Sequence, residues 1–213
     1  MIRASKRAGV LAASLSAAVL AASLVSPAAQ AGTLDFDSLN HFDPIPNGYG
    51  GLNWDNFYTL NGSNSGIGNN GYKNGLVSPD MVAFNWNANP ASISGSNFTL
   101  SSGYFTAAWN DGLTVDVQGY VSGVLTFDKS FVIDTSGPML ETFNWAHLSS
   151  VTFTSSGGFG TGYYGYGTHF ALDNLTVHAA AVPESASWLM MVGGLGLAGG
   201  AMRARRKSAV SFS

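Results

Sequence analysis

Hydrophobic and polar residues alternate along the middle of the chain, in short runs rich in Thr, Val and Phe. The alternation is clearest at residues 113–117 and 151–154. A period of two places one face of a strand in a core and the other in water. No stretch there combines helical periodicity with capping residues. The pattern therefore predicts an all-β domain.

The predicted strands are separated by clusters of Gly, Asn and Ser, which favour turns. The strands cover residues 33–37, 54–60, 81–85, 97–102, 104–109, 113–120, 124–133, 140–145, 151–154 and 169–178. Asn110, Asp111 and Gly112 predict a tight hairpin turn between two of them. Gly-rich connections are expected at 61–73 and 155–168. We expect one sandwich of two sheets, of the jelly-roll type, over residues 32–178.

Residues 1–31 have the pattern of a secretory signal peptide. Arg3, Lys6 and Arg7 precede an apolar, Ala- and Leu-rich segment at 10–25. Ala29-Gln30-Ala31 is a small-residue cleavage site. We therefore expect export from the cytoplasm, with Gly32 as the first residue of the mature chain.

The C-terminal end predicts a membrane anchor. A linker at 179–187 contains Val182, Pro183 and Glu184, and an apolar run follows at 188–202. As a helix this run would extend about 22 Å, so basic side chains must snorkel to help it span a core of about 30 Å. The tail at 203–213 carries the basic cluster Arg203, Arg205, Arg206 and Lys207. Such a cluster is expected at the cytoplasmic end of a span.

The order of these features resembles the PEP-CTERM sorting tail of exported bacterial proteins, also labelled as an ice-binding-protein C-terminal region. The resemblance implies processing near Pro183-Glu184 by an exosortase-type membrane enzyme. Ser185 stands where the family usually has a second Pro. Ice binding requires a flat, repetitive Thr-rich face, and Thr152 and Thr154 are an isolated pair.

The central segment also resembles a known set of secreted microbial domains. The resemblance is carried by residues 48–54 (GYGGLNW), 104–113 (YFTAAWNDGL) and 170–175 (FALDNL). It implies a lectin-like or carbohydrate-binding-module-like β-sandwich, and it supports the fold more than a function.

Charge is distributed unevenly along the chain. Seven of its nine basic residues lie in the two terminal segments, and residues 32–181 retain only Lys73 and Lys129 against eleven acidic residues. The resulting net charge of −9 disfavours nucleic acid and anionic lipids as partners. Because the chain has no Cys, disulfides and thiol catalysis are excluded.

The sequence carries no recognisable catalytic motif. It lacks a G-x-S-x-G elbow and an H-E-x-x-H helix. Glu141 is the only Glu of the central segment, and nothing in the sequence pairs two carboxylates as a glycosidase requires. The chain is therefore not expected to be an enzyme. The alternative is a secreted hydrolase of glycans or esters on the same scaffold.

A structural calcium site is a further expectation. The first and last predicted strands carry Asp37 and Asp173, and such terminal strands lie side by side in jelly-roll sandwiches. Calcium prefers oxygen ligands of this kind. The alternative is that the two residues are ordinary surface carboxylates.

Aromatic residues near Gly-rich loops are the candidate ligand-binding residues. Sugar rings stack their C–H faces on aromatic side chains, while polar groups bind the hydroxyls. The candidates are Tyr163, Tyr164, Tyr166, Trp54 and Trp109, although both Trp residues also fit a core position. The sequence thus favours a membrane-anchored or matrix protein of the cell envelope that binds extracellular polysaccharide without catalysis.

Cleavage after Ala31 determines the N-terminus of the exported chain. Mass spectrometry of the exported protein should find a mature chain that begins at Gly32, because Ala29 and Ala31 form the cleavage site. An exported chain that retains residues 1–31 would contradict the signal-peptide assignment.

Overall fold

The computed structural model describes residues 30–64, 68–163 and 165–179, together with Leu195. These residues form antiparallel strands, a four-residue helix and two short turns of 3-10 helix at Tyr49–Gly51 and Trp86–Ala88. The elements are β1 (Gln30–Leu34), β2 (Asn53–Asp55), β3 (Phe57–Asn61), α1 (Gly71–Asn74), β4 (Met81–Asn85), β5 (Ala91–Ala107), β6 (Asn110–Val121), β7 (Val124–Ile133), β8 (Met139–Gly160) and β9 (Phe170–Ala179). The all-β class is confirmed.

Two long strands connect the two halves of the fold. The strand order is β3-β4-β9-β5-β8-β6-β7, with β1 beside β9 and β2 beside β5. The first part of β5 pairs with β2 and with the second part of β8. Its last part pairs with β9 and with the first part of β8. The sheet therefore folds over on itself along β5 and β8, and its two halves face each other as a sandwich.

Bulges allow this bend. Between the pairs Phe98–Leu148 and Leu100–Trp145, β8 holds one extra residue. His147 adopts a φ of 61° there, and Asn97 adopts a φ of 54° at the neighbouring shift in β5. Asn97 Oδ1 and His147 Nδ1 lie 2.9 Å apart and share a hydrogen bond. Bulges bend a strand and increase its twist, so these residues set the direction of each half.

The main core is aromatic and lies between the two halves. Phe105 of β5 is fully buried, and its ring centroid lies 5.1 Å from that of Phe131 in β7. It also lies 6.2 Å from Phe153 and 6.0 Å from Phe170. Offset and edge-on pairs of this kind add about 0.5–1.5 kcal/mol each to the energy of burial. Contacts across the two halves thus hold the sandwich closed.

On one side of the sandwich, side chains of β7 contact side chains of the first part of β8. Phe127 stacks on Trp145 with ring centroids 5.2 Å apart. Lys129 Nζ lies 2.5 Å from Glu141 Oε2 and donates to Thr142 O at 2.9 Å. An inward-pointing charge on an edge strand is one way to prevent edge-to-edge aggregation.

A second hydrophobic cluster lies apart from the main core, where α1 packs against β5 and β9. Its buried members are Leu60, Tyr72, Val82, Phe84, Ala108 and Ala171. Tyr58, Leu76, Trp86 and Trp109 pack against it and remain partly exposed. We call this set the outer cluster.

The structure corrects the expected hairpin at 110–112. β6 begins at Asn110 and pairs with β7 and β8 rather than with β5. Asp111 and Gly112 instead bond to the segment that follows β7: Thr135 N donates to Asp111 Oδ1 at 2.7 Å, and Gly112 N donates to Asp134 Oδ1 at 2.8 Å. The turn-forming residues therefore fasten two distant segments together.

Other boundaries also differ from the sequence-based ones. The predicted strands 97–102 and 104–109 are one strand, β5, which starts earlier, at Ala91. Those at 140–145 and 151–154 are likewise one strand, β8, which extends to Gly160 into the expected loop. The predicted strand 54–60 is divided at Asn56, which has a φ of 55°.

The proposed signal peptide and the proposed C-terminal anchor lie almost entirely outside the described residues. Among the described residues, no helix has the length and apolar character needed to cross a membrane. Apart from Leu195, the proposed anchor at 188–202 lies outside those residues, as do the sorting motif and the basic cluster. The signal peptide lies outside them up to Gln30, where β1 begins.

Candidate functional site

The five aromatic candidates occupy different environments. Trp54 lies in the main core, with 7% of its surface exposed. Its Nε1 donates to Tyr49 O at 2.9 Å, and its ring meets Phe57 edge-on at 5.4 Å. Trp54 therefore contributes to packing and is not accessible to a ligand. Tyr164 lies outside the described residues.

Trp109 lies beneath the loop that follows β8. A Cβ on Gly165 would lie 2.4 Å from Trp109 Cδ2 and Cε2, so only glycine allows the loop backbone to approach the indole this closely. Thr161 fastens the start of the loop, since its N and Oγ1 donate to Trp109 O at 3.1 and 3.0 Å. The partly exposed Trp109 thus supports the 161–169 loop.

His169 fixes the other end of this loop. Trp109 Nε1 donates to His169 Nδ1 at 3.2 Å, and the His169 ring also bonds to the backbone of Tyr166. Burial lowers the pKa of His169, and the bond to the Tyr166 backbone opposes this shift only in part. The ring is therefore neutral near pH 7, as acceptance by Nδ1 requires.

Two aromatic side chains near this loop are almost fully exposed. Tyr166 is 89% exposed and Phe159, at the end of β8, is 85% exposed. Tyr163 is partly exposed on the same loop. We call Phe159, Tyr163 and Tyr166 the rim. Sequence reasoning missed Phe159, because its neighbours Gly157, Gly158 and Gly160 suggested a loop whereas β8 continues through it.

Polar groups accompany the rim. In the pairing of β6 with β8, Asp111 is opposite Phe159 and Asn110 is opposite Gly160. Hydrogen bonds from Thr135 N and then from Thr135 Oγ1, both 2.7 Å, lower the pKa of the Asp111 carboxyl. This carboxylate is ionised at neutral pH and can accept further hydrogen bonds. The rim thus combines apolar ring faces with hydrogen-bonding groups.

Asp173 has a different environment from the one expected of a calcium ligand. Val77 N and Ser78 N donate to its Oδ2 at 2.7 and 2.9 Å, and Ser78 Oγ and Asn174 N donate to its Oδ1 at 2.9 and 2.7 Å. Asp37 Oδ1 accepts from Met81 N at 3.0 Å. Both carboxylates thus already hold backbone segments in place.

No group of three or more His, Cys, Asp or Glu suited to a metal ion occurs within the described ranges. The terminal strands β1 and β9 do lie side by side, as the calcium hypothesis assumed. Calcium binding itself stays a prediction, which the effect of chelator on the melting temperature can test.

The environment of Asp173 also bears on catalysis. Burial raises the pKa of its carboxyl, with the four hydrogen bonds opposing the shift. A raised pKa is one property of a general acid. Asp173 is only 1% exposed, however, and its oxygens are occupied by donors of the protein itself. It therefore does not offer a proton to a substrate.

Replacing Asp173 with Asn tests its role in the fold. In one orientation the new amide would place N–H donors against Val77 N and Ser78 N, and in the other against Asn174 N. We therefore expect a free energy of unfolding lower by about 2 kcal/mol. For a domain of this size, thermal denaturation should show a melting temperature lower by roughly 4–8 °C. The exposed Asp128→Asn variant serves as the control. Equal melting temperatures for the two variants would contradict the role given to Asp173.

His169 predicts a pH dependence of stability. Because burial lowers its pKa in the fold, the unfolded chain binds the proton first as pH falls. The neutral, buried His169 contributes its full stabilisation above the pKa of about 6.5 that a histidine has in the unfolded chain. This contribution is lost as the pH falls below that value. His169→Gln keeps an acceptor for Trp109 Nε1 and does not titrate. Urea denaturation at about pH 7.5 and about pH 5.5 should show a smaller stability loss in this variant. Identical losses in the variant and the wild type would contradict the assignment.

Comparison with known proteins gives only distant structural likeness. No protein-family model and no curated protein matches the chain. Similar solved structures include TmCBM61 in complex with beta-1,4-galactotriose, which is 10% identical, with 68% of this chain and 94% of that chain covered and a TM-score of 0.33.

The N-terminal CBM22-1-CBM22-2 tandem domain of Xyn10C from Paenibacillus barcinonensis is 12% identical, with 75% and 47% covered and a TM-score of 0.34. The M60 catalytic domain with two CBM51 domains of ZmpB from Clostridium perfringens is 8% identical, with 73% and 15% covered and a TM-score of 0.28. Likeness at this level assigns no ligand to this chain.

Proposed function

We propose that this protein binds neutral polysaccharide at the rim without turning it over. The observation that carries the proposal is the exposure of Tyr166 and Phe159, at 89% and 85%, on a backbone that is fastened on both sides. Exposed apolar surface bordered by polar residues is typical of ligand-binding sites.

A sugar ring fits the chemistry of the rim. Its C–H face stacks on an aromatic ring, and its hydroxyls accept hydrogen bonds from amide N–H groups and donate them to carboxylates. Asp111 and Asn110 lie on the strand paired with the one that carries Phe159. The rim thus supplies the two kinds of contact that such a ligand needs.

Contacts within the protein itself hold the described backbone around the rim. Trp109 and His169 hold the 161–169 loop through Thr161, Gly165 and the Tyr166 backbone. Binding to a pre-organised loop loses less conformational entropy than binding to a mobile one. This favours measurable affinity from a small number of aromatic contacts.

Charge selects the class of polysaccharide. Residues 32–181 carry a net charge of −9, and the ionised Asp111 lies beside the rim. Acidic polysaccharides and nucleic acids would be repelled by this surface. Neutral polysaccharides are not repelled by it.

The carboxylates do not favour hydrolysis. A glycosidase needs a general acid with a raised pKa that faces a second carboxylate across the substrate. Hydrogen bonds from Thr135 lower the pKa of Asp111, the carboxylate beside the rim. Asp173 is buried and is inaccessible to a substrate. We therefore propose binding alone, as part of an exported protein that its C-terminal tail sorts to the cell envelope. That part of the proposal is supported by the sequence features of residues 1–31 and 179–213.

Affinity electrophoresis tests the proposal. The purified protein should be retarded in gels that contain hydroxyethylcellulose, xylan or galactan, and the double variant Phe159→Ala/Tyr166→Ala should bind about tenfold more weakly. Two stacking contacts contribute about 1–3 kcal/mol, and about 1.4 kcal/mol corresponds to a factor of ten.

The control is Val132→Ala, which shortens an apolar side chain that is 56% exposed on β7. The variant should bind like the wild type. Equal retardation of the double variant and the wild type would place the site elsewhere. Release of reducing ends from any of these polymers would contradict the non-catalytic assignment.

A further inference from the structure

A second set of exposed rings lies on the outer cluster. Phe42 is 50% exposed, and Tyr58 and Trp86 are partly exposed. The Tyr58 and Trp86 rings are stacked with centroids 4.4 Å apart and planes inclined by 21°. Phe42 meets Trp86 edge-on at 5.2 Å, and all three rings lie within 6.3 Å of the buried Phe84. We call Phe42, Tyr58 and Trp86 the outer patch.

The backbone that carries the outer patch is strained. Phe42 has a φ of 65°, and Asn87 and Ala88, directly after Trp86, have φ of 55° and 56°. Non-glycine residues in this conformation cost on the order of 1–3 kcal/mol each, and they concentrate at sites where ligands are held. Two consecutive residues of this kind at the tip of an exposed turn have no evident role in packing the core.

Side-chain amides hold this strained turn in place, and one of them is Asn85, whose Nδ2 donates to Asn89 O at 3.3 Å. Asn56 Nδ2 donates to Trp86 O and Pro90 O, both at 3.0 Å, and to Asn89 O at 3.3 Å. Trp86 N in turn donates to Asn56 O at 3.0 Å. The position of the Trp86 ring is therefore fixed by hydrogen bonds on both sides of it, as expected of a pre-organised contact residue.

The backbone segments that carry the outer patch and the rim lie close to each other. A Cβ on Gly167, next to Tyr166, would lie 3.6 Å from Ala88 Cβ, so the 161–169 loop and the 86–88 turn are in contact. Below this contact, the rings of Phe84 and His169 lie 6.1 Å apart, and those of Tyr72 and Trp109 lie 5.3 Å apart. Ring contacts among the buried Tyr72 and Phe84 and the partly exposed Trp109 and His169 thus connect the two segments.

We propose that the outer patch is a second subsite for the same neutral polysaccharide, so that one chain spans the outer patch and the rim. This inference rests on the proposed function of the rim. A polysaccharide chain that occupies both subsites makes the second contact without a second loss of translational freedom. Affinity therefore rises with the length of the chain. The protein is thereby selective for polymers over short oligosaccharides.

Chain-length dependence of binding tests this inference. Titration calorimetry of the purified protein with cello-, xylo- and galacto-oligosaccharides of increasing length should show tighter binding to the longer ones. Trp86→Ala and Phe42→Ala should each weaken binding of the long oligosaccharides by about tenfold, and should leave binding of the short ones within about twofold of the wild type. The rim double variant Phe159→Ala/Tyr166→Ala should weaken both.

Leu140→Ala is the matched control, because Leu140 is 51% exposed, like Phe42, and belongs to neither surface. Melting temperatures identify any variant that is misfolded. If Trp86→Ala is unstable, the Phe42→Ala variant decides the outcome, because Phe42 is half-exposed. If both outer-patch variants bind like the wild type while the rim double variant binds more weakly, the second subsite is overturned. The rim then remains the binding site. Unaffected rim variants would overturn the proposed function itself.

Discussion

The bend in strands β5 and β8 is the constraint on which the rest of this structure depends. Both strands contribute to both halves of the sandwich, so the two halves can face each other only if the strands change direction midway. Asn97 and His147 adopt left-handed conformations at that point and bond to each other at 2.9 Å. The cost of these conformations is offset by the aromatic core that the bend closes, in which Phe105 contacts rings from both halves.

The bend also determines what is exposed. Beyond it, β8 runs along β6 to Gly160, which places Phe159 at the open end of the sandwich and starts the loop that carries Tyr166. The part of β5 that follows the bend pairs with β9, beside which β4 leads into the turn that presents Trp86. The rim and the outer patch thus lie on segments that the same two strands position.

Much of the fold was predictable from residue periodicity. β4 and β7 begin and end where their apolar and aromatic runs predict, because each is an uninterrupted strand. The prediction divided β5 at Gly103, started it only at Asn97, and ended β8 before the glycines at 157 and 158. Gly and Asn are typical of turns, but here they occupy bulges and strand positions. A left-handed Asn inside a strand and one in a turn look identical in sequence.

The site was less predictable for a related reason. The exposure of Tyr166 agrees with the expectation from its Gly-rich loop, while the burial of Trp54 agrees with the core alternative. Phe42, Tyr58 and Trp86 were not identified, because an aromatic residue in or beside a strand is usually part of the core. Only the three-dimensional arrangement shows that a second cluster forms outside the main core and leaves these rings at its margin.

Nuclear magnetic resonance of the tryptophan indole N–H groups tests the central claim most directly. On titration of the purified protein with long cello-, xylo- or galacto-oligosaccharides, the signals of Trp86 and Trp109 should shift, since both residues are partly exposed at the proposed surface. The signals of Trp54 and Trp145, which lie in the main core, should stay in place. Equal shifts of the core and surface signals, or no shift of any signal at saturating oligosaccharide, would contradict the account.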